Sequence, residues 1–424
     1  MRASLLDEIK IIDTDTHVVE PPDLWTSRIS TQRWGDRVPH VRADDNGDPA
    51  WFVADKLVLP VAAAAMAGWH QYPPMHPPSL NDADRATWDP TARVQRMDEL
   101  GIHAQVLYPN VAGFGGGNFT DVDEPELMLA CVQAYNDFLS EYSQTAPGRF
   151  VPIAALPFWD VDLSIKELHR AVDNGHRGVI FSGVPDAWGQ PDLTDRYWDR
   201  LWAAIQEARV PVNFHIASGN IADITTIGNP ANGPHANYSA LGVGFFLGNA
   251  GTITKLITGG VCHRFPELNF VSVESGIGWI PFALASLDWQ WLNCGVPKEH
   301  PEYDLLPSEY FRRQVHGCFW FERTASICPN HVISYTDGVP AEVLSFVGGL
   351  TQAARMRDLM QDLDMMVSVE DSWGGDIVTA AVSHLAASTR PENFQNASLM
   401  NDRTDGHVAG YTPRSVAGRG SAPT

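Results

Sequence analysis

A chain of 424 residues with 44% hydrophobic side chains, 10% aromatic side chains and 35 glycines has enough apolar and turn-forming material for a buried globular core, which excludes a disordered or fibrous protein. The 29 basic against 51 acidic side chains leave a formal charge of −22, which repels phosphate backbones and anionic lipid, so neither nucleic acid nor a membrane is an expected partner. The five cysteines, Cys131, Cys262, Cys294, Cys318 and Cys328, are scattered without a CxxC pair, which argues against a disulfide framework or a thiolate metal site.

The opening, MRASLLDEIKIIDTD, lacks the long apolar core of a signal peptide, and no uncharged stretch is read as approaching the roughly 18 residues of a membrane span. The expected location is cytoplasmic. After this lead, IKIIDTDTHVVEPP reads as a strand ending in a polar loop. Short apolar runs bounded by Gly, Pro or polar residues follow at 105–109, 150–157, 177–183, 210–218 and 269–276, the pattern of buried parallel strands. Between them, PELMLACVQAYNDFLSEYSQTAP, VDLSIKELHRAVDNG and RYWDRLWAAIQEARV repeat apolar residues every three or four positions, as helices do. Such alternation predicts an α/β barrel or a doubly wound sheet. Residues 40–95, rich in Pro, Ala and Trp, lack clean periodicity and are expected to form an insertion after the first strand, and the polar tail from about 390 is expected to be poorly ordered.

Asp15 and His17 stand two positions apart, so on a strand both side chains point to one side, where they can chelate one ion. Read alone, the pair is equally a turn cap and a surface histidine. His215 in VPVNFHIASG and Glu274 in FVSVESG each end an apolar run where the chain turns polar. All four groups therefore fall at the same end of successive strands, where barrel enzymes build their sites. The N/O donor set suits one divalent ion, Zn first, with Mn or Fe as alternatives. His235 is a weaker candidate from the following loop. His103, His176, His263 and His316 have no comparable setting.

From IIDTDTHVVEPPDLW through QVLYPNVAGFG, RGVIFSGVP, ARVPVNFHIASG and GGVCHRFPELNFVSVESGIGWIP to SEYFRRQVHGCFWFE, the chain resembles the amidohydrolase-related family that includes aminocarboxymuconate-semialdehyde decarboxylase. The resemblance covers about 10–323. It implies a (β/α)8 barrel of the metal-dependent hydrolase type, with one metal held by Asp15, His17 and His215. On the sixth strand family members often carry a catalytic histidine, where this chain has Glu274. An eighth-strand aspartate in a pattern like SDYPH is absent. Asp337 in HVISYTDGVP is the best substitute, so the last strands are atypical.

Residues 330–390, through GGLTQAARMRDL and VSVEDSWGGDI, instead resemble the end of a muconate-lactonizing/mandelate-racemase barrel of the enolase superfamily. There Glu370 and Asp371 are expected to be structural or solvated. The expected organisation is an amidohydrolase-related barrel over 1–326, an enolase-like β/α segment over 327–389 and a tail over 390–424. The expected function is metal-dependent decarboxylation or hydrolysis of a small carboxylated organic substrate, aromatic or not, with Glu274 and Asp337 as proton-transfer groups. The alternative is a partly folded, inactive fusion with weak metal binding. Self-association is left open.

Overall fold

The computed structural model describes residues 10–113, 115–216, 228–319, 350–362, 366–370 and 375–398. They fall into two compact units, one over 11–320 and one formed by 1–10 with 321–424.

In the larger unit, β1 (Ile11–His17) leads into a three-stranded antiparallel meander, β2 (His40–Ala43), β3 (Pro49–Val53) and β4 (Lys56–Pro60). The stretch expected as an aperiodic insertion thus contains its own small sheet, turned at Asp44–Asp48, where Asp44 accepts from the Asn46 and Asp48 amides at 2.8 and 2.9 Å.

Strand and helix then alternate: α1 (Pro90–Leu100), β5 (Ile102–Tyr108), α2 (Pro125–Gln144), β6 (Phe150–Ala154), α3 (Val161–Asp173), β7 (Gly178–Ile180), α4 (Asp199–Ala208), β8 (Val212–His215), α5 (Pro234–Thr258), β9 (Phe270–Val273), α6 (Trp279–Asn293), α7 (Pro307–Gln314) and β10 (Val315–Gly317). Local chemistry marks the helix ends. Asp89 and Asp160 cap α1 and α3 by accepting from Ala92 N and Leu163 N, and α1 stops at Gly101, whose φ of 71° is left-handed. Each carboxylate cap contributes on the order of 1 kcal/mol. In α2, Leu127, Cys131, Val132, Tyr135, Phe138, Leu139 and Tyr142 are buried and form the stripe that docks on the sheet.

The seven strands lie in the order β1-β5-β6-β7-β8-β9-β10, and every pairing is parallel. In a flat sheet β1 and β8 would be four strand spacings, roughly 19 Å, apart. Yet His17 and His215 meet at 3.1 Å, and Thr14 Oγ1 donates to Cys318 Sγ, just past β10, at 3.5 Å. The sheet therefore curls until its ends approach, as in an α/β barrel. Among the described residues no ladder joins β10 to β1. The expected strand HVISYT and Asp337 lie outside the described residues.

Two apolar clusters fill this unit, one around Leu107, Tyr108, Cys131 and Val132, the other around Val179, Phe181, Phe214, Ile253, Leu256 and Phe270. One expectation is corrected here. Helix α5, with 25 residues, is long and apolar enough to cross a membrane by length and composition. Its Ile253, Leu256 and Ile257 nevertheless pack into the second cluster.

The smaller unit contains α8 (Leu350–Asp362), β11 (Val367–Glu370), α9 (Gly375–Ala387) and β12 (Phe394–Ser398). β12 pairs parallel to β11, with Ala353, Met360, Val367, Val369, Val382 and Leu385 as a core. At the start of the tail expected from about 390, Pro391–Asn393 form a single turn and Phe394–Ser398 a strand. Residues 399–424 and Asp371 lie outside the described residues. Glu370 ends β11.

Candidate metal centre

β1 delivers Asp15 and His17 to the same side because strand side chains alternate. His17 Nδ1 lies 3.2 Å from Pro109 O, beyond the end of β5, with which β1 pairs (His17 opposite Tyr108). A carbonyl only accepts, so Nδ1 carries the proton and Nε2 presents its lone pair. The backbone here is held from behind. Arg93 donates to His17 O at 2.6 Å and to Ala86 O at 2.8 Å. Buried Glu20 accepts from Asn110 N at 2.8 Å, Val111 N at 3.0 Å and Asn110 Nδ2 at 3.1 Å, which fixes the loop carrying Pro109.

His215, the last residue of β8, is fully buried. Its Nδ1 is 3.1 Å from Ile216 O, so its Nε2 likewise carries the ring's lone pair, and that atom faces His17 Nε2 at 3.1 Å. Two lone pairs that close repel unless a cation or a proton lies between them. Around them, Asp15 Oδ1 is 3.4 Å and Glu274 Oε2 3.3 Å from His215 Nε2, and Asp15 Oδ1 is 3.9 Å from His17 Nε2. The Asp15–His215 approach is long for a hydrogen bond, and Oδ1 is buried without one; we treat it as proximity of charge. All four ligand atoms lie within 4.8 Å of one another. Ligands about 2.1 Å from one tetrahedral ion would stand about 3.4 Å apart, so the donor set fits a divalent cation.

The electrostatics set the two rings apart. Burial, helped by the neighbouring His215, pushes His17 down to about 4, which keeps the ring neutral and able to ligate. Burial also works against charge on His215, but the nearby Asp15 and Glu274 outweigh it and raise its pKa. Asp15, despite burial, is held below the usual carboxylate range by His215 and then His17. Burial lifts Glu274 to about 7, with His215 opposing and Asp15 adding to the rise.

Glu274 also has an unusual backbone, φ 56°, left-handed for a residue that is neither Gly nor Asn. Such a conformation costs on the order of 1 kcal/mol, and here it sits where β9 ends and the carboxylate turns toward the two histidines.

The structure thus brings together Asp15, His17, His215 and Glu274. It does not bring in His235, exposed near the start of α5, or His316, exposed on β10 with Nε2 3.3 Å from Asn269 Oδ1. Sequence reasoning missed Glu20 and Arg93. Glu20 had a signal, an acid directly after the apolar Val18–Val19 pair, whereas Arg93 reads only as one more polar residue on α1.

A curled parallel α/β sheet with a two-histidine, two-carboxylate cluster at the carboxyl ends of its strands fits an amidohydrolase of TIM-type α/β fold. The Amidohydro_2 amidohydrolase family matches residues 12–303, and the chain belongs to that family. Over 233 residues it is 26% identical to gamma-resorcylate decarboxylase of Polaromonas sp., covering 53% of this chain and 66% of that enzyme. A 76-residue stretch, 18% of the chain, is 46% identical to cis-3-hydroxy-L-proline dehydratase of Roseibium aggregatum, of which it covers 21%. The chain therefore spans less than two-thirds of the length of either relative. A solved 5-carboxyvanillate decarboxylase from Novosphingobium aromaticivorans, complexed with manganese and 4-hydroxy-3-methoxy-5-nitrobenzoic acid, superimposes with a TM-score of 0.52 at 17% identity, over 76% of this chain and 82% of that one. That likeness is one of fold.

Proposed function

We propose that the chain is a metal-dependent enzyme that removes carbon dioxide without oxidation from a small aromatic carboxylate, in the cytoplasm. The observation that carries this reading is the pair of Nε2 atoms 3.1 Å apart with two carboxylates around them. Asp15, His17 and His215 would hold the ion, Zn first, with Mn or Fe as alternatives; the manganese of the solved decarboxylase supports the second. When bound, the ion supplies Lewis acidity that anchors and polarises an anionic substrate.

The chain's own groups do the rest. His17 and His215 stay in the tautomer their carbonyl partners impose. Glu274, lifted to about 7 by burial, is in the range where a carboxyl both holds and gives a proton near neutrality. In decarboxylation the bond from ring carbon to carboxylate breaks, carbon dioxide leaves, and the electron pair left on carbon takes the proton from Glu274. Asp337 is proposed as the second proton-transfer group.

Decarboxylation is favoured over hydrolysis by the likeness to gamma-resorcylate decarboxylase. A second reading, an inactive fusion of an amidohydrolase-related barrel over 1–326 with an enolase-like segment over 327–389 and a tail over 390–424, is favoured by one observation. That is the short stretch similar to a dehydratase of which it covers one-fifth.

The test is product analysis. Chelator-stripped protein reloaded with Zn²⁺ or Mn²⁺ is given hydroxylated benzoates and, separately, ester and amide substrates, with carbon dioxide and products followed by mass spectrometry. Metal-dependent carbon dioxide release is expected. Ester or amide cleavage without it would shift the assignment to hydrolase, and neither reaction in metal-loaded protein would favour the fusion.

A further inference from the structure

Helix α5 contains a buried amide that its composition does not explain. In the stretch GFFLGNAGTITKLIT, Asn249 is 2% exposed, and a buried amide is costly unless its hydrogen bonds are made. Its Nδ2 lies 2.7 Å from Phe214 O, 3.2 Å from Ser272 Oγ and 3.3 Å from Val273 O. The partners are specific in position. Phe214 immediately precedes His215 at the end of β8, and Val273 immediately precedes Glu274 at the end of β9. One side chain therefore ties together the two backbone carbonyls from which two members of the metal cluster spring.

Ladder bonds alone leave this end of the sheet underdetermined. β8 and β9 pair in register through His215 and Val273, but Glu274 leaves the strand in the left-handed region, so its direction depends on what holds Val273. The Val273 carbonyl accepts from Ile216 N at 3.1 Å and Ser275 Oγ at 3.3 Å, both next to the strand ends, and from Asn249, which alone of the three reaches it from the helix. The platform behind Asn249 is tight. Thr252, three residues further along α5, occupies the space a side chain on Gly183 would need, with Thr252 Oγ1 2.3 Å from an ideal Cβ there. Any outward shift of the helix would therefore lose contact with the loop after β7.

We propose that Asn249 is a positioning residue for the metal centre, setting the separation of His215 and Glu274 through the carbonyls of Phe214 and Val273. This rests on the metal reading above. Loss of such support to ligands typically weakens metal binding 10- to 100-fold, because a ligand bond tolerates only a few tenths of an ångström of misplacement.

The test compares Asn249→Leu, similar in size but without donors, with Asn136→Leu. Asn136 is an equally buried amide, bonded to Ala155 and Glu167, with no link to the cluster. Mn²⁺ affinity is measured by calorimetry on full-length protein, Co²⁺ absorption reports coordination geometry, and the metal-free melting temperature reports stability. A Mn²⁺ affinity lowered roughly tenfold or more with an altered Co²⁺ spectrum in the Asn249 variant, and wild-type values for both in the Asn136 variant, is the expected result. Asn249→Asp, which keeps the shape but loses the donors, serves if leucine does not fold. Wild-type affinity in either folded Asn249 variant overturns the proposal, as does failure of both to fold without metal, which would make the residue structural. If wild-type protein binds neither ion, the metal reading itself fails and the proposal falls with it.

Discussion

His17 and His215, 198 positions apart in the chain, point their Nε2 atoms at each other across 3.1 Å, while the Nδ1 of each is engaged by a backbone carbonyl. The carbonyls determine the tautomers, and the tautomers turn two ordinary imidazoles into a ligand pair.

Replacing His215 with alanine should therefore abolish most metal binding, since water substitutes poorly for a buried imidazole. His316→Ala should leave it intact, because that ring is exposed beside Asn269. Metal content per chain, measured by atomic spectrometry after chelation and reloading, separates the two. Equal content would remove His215 from the site.

Glu274 has two separable properties, chemistry and backbone strain. Glu274→Gln keeps the shape and the left-handed backbone but loses the proton, so turnover should fall on the order of 100-fold or more with little change in melting. Glu274→Gly should abolish turnover yet stabilise the metal-free protein by about 1 kcal/mol, because glycine adopts φ 56° without penalty. A glycine variant less stable than wild type would show that the carboxylate's contacts outweigh the strain.

Glu20 is 1% exposed and satisfies two backbone amides and one side-chain amide of the loop bearing Pro109. Glu20→Ala leaves the Asn110 and Val111 backbone amides without their acceptor, while Asn110 Nδ2 keeps Val18 O at 2.9 Å, at a cost on the order of 2 to 4 kcal/mol, which denaturant unfolding would register. A loss under about 0.5 kcal/mol would mean that the loop relaxes to water.

The buried His176 gives a stability effect with a definite pH window. Burial pushes it down to about 4, against an ordinary value of 6.5, and its Nε2 is 3.1 Å from Asn136 O. The unfolded chain therefore binds a proton the folded one refuses between those values. Stability should decline as pH falls from about 6.5 to about 4, by the order of 3 kcal/mol, and this group should contribute no further loss below that. His176→Gln should flatten that part of the melting profile. A profile parallel to wild type would mean that other groups carry the acid sensitivity.

Much of this could be read in advance because the physics is local. A strand buried on both faces must be an uninterrupted apolar run, as RGVIFSG and VPVNFHIAS are, and a helix docking on one face must repeat apolar residues every three or four positions, as α2 does. Asp15 and His17 were visible for the same reason, since a two-residue spacing on a strand determines direction. The meander's turn is written in Asn46–Gly47, a strong hairpin signal, but the Pro-, Ala- and Trp-rich sequence around it has no clean period to mark the strands. The left-handed Glu274 and the reach of Asn249 to two strands were not legible: a positive φ leaves no mark on an acidic residue, and hydrogen bonds to carbonyls are indifferent to the acceptor's side chain.

The curl of the sheet gives the metal centre a mechanical meaning. Among the described residues β1 is an edge strand, with Ile12 55% exposed, the kind of element that detaches in local openings well below the energy of global unfolding. An ion held by Asp15, His17 and His215 would clasp that strand to β8, four strands away in the sheet. β1 could then no longer peel away by itself. Amides of Thr14 and Thr16 would exchange with solvent at the rate of global unfolding when metal is bound and much faster when it is stripped, so occupancy would be readable as a change in the cooperativity of the fold.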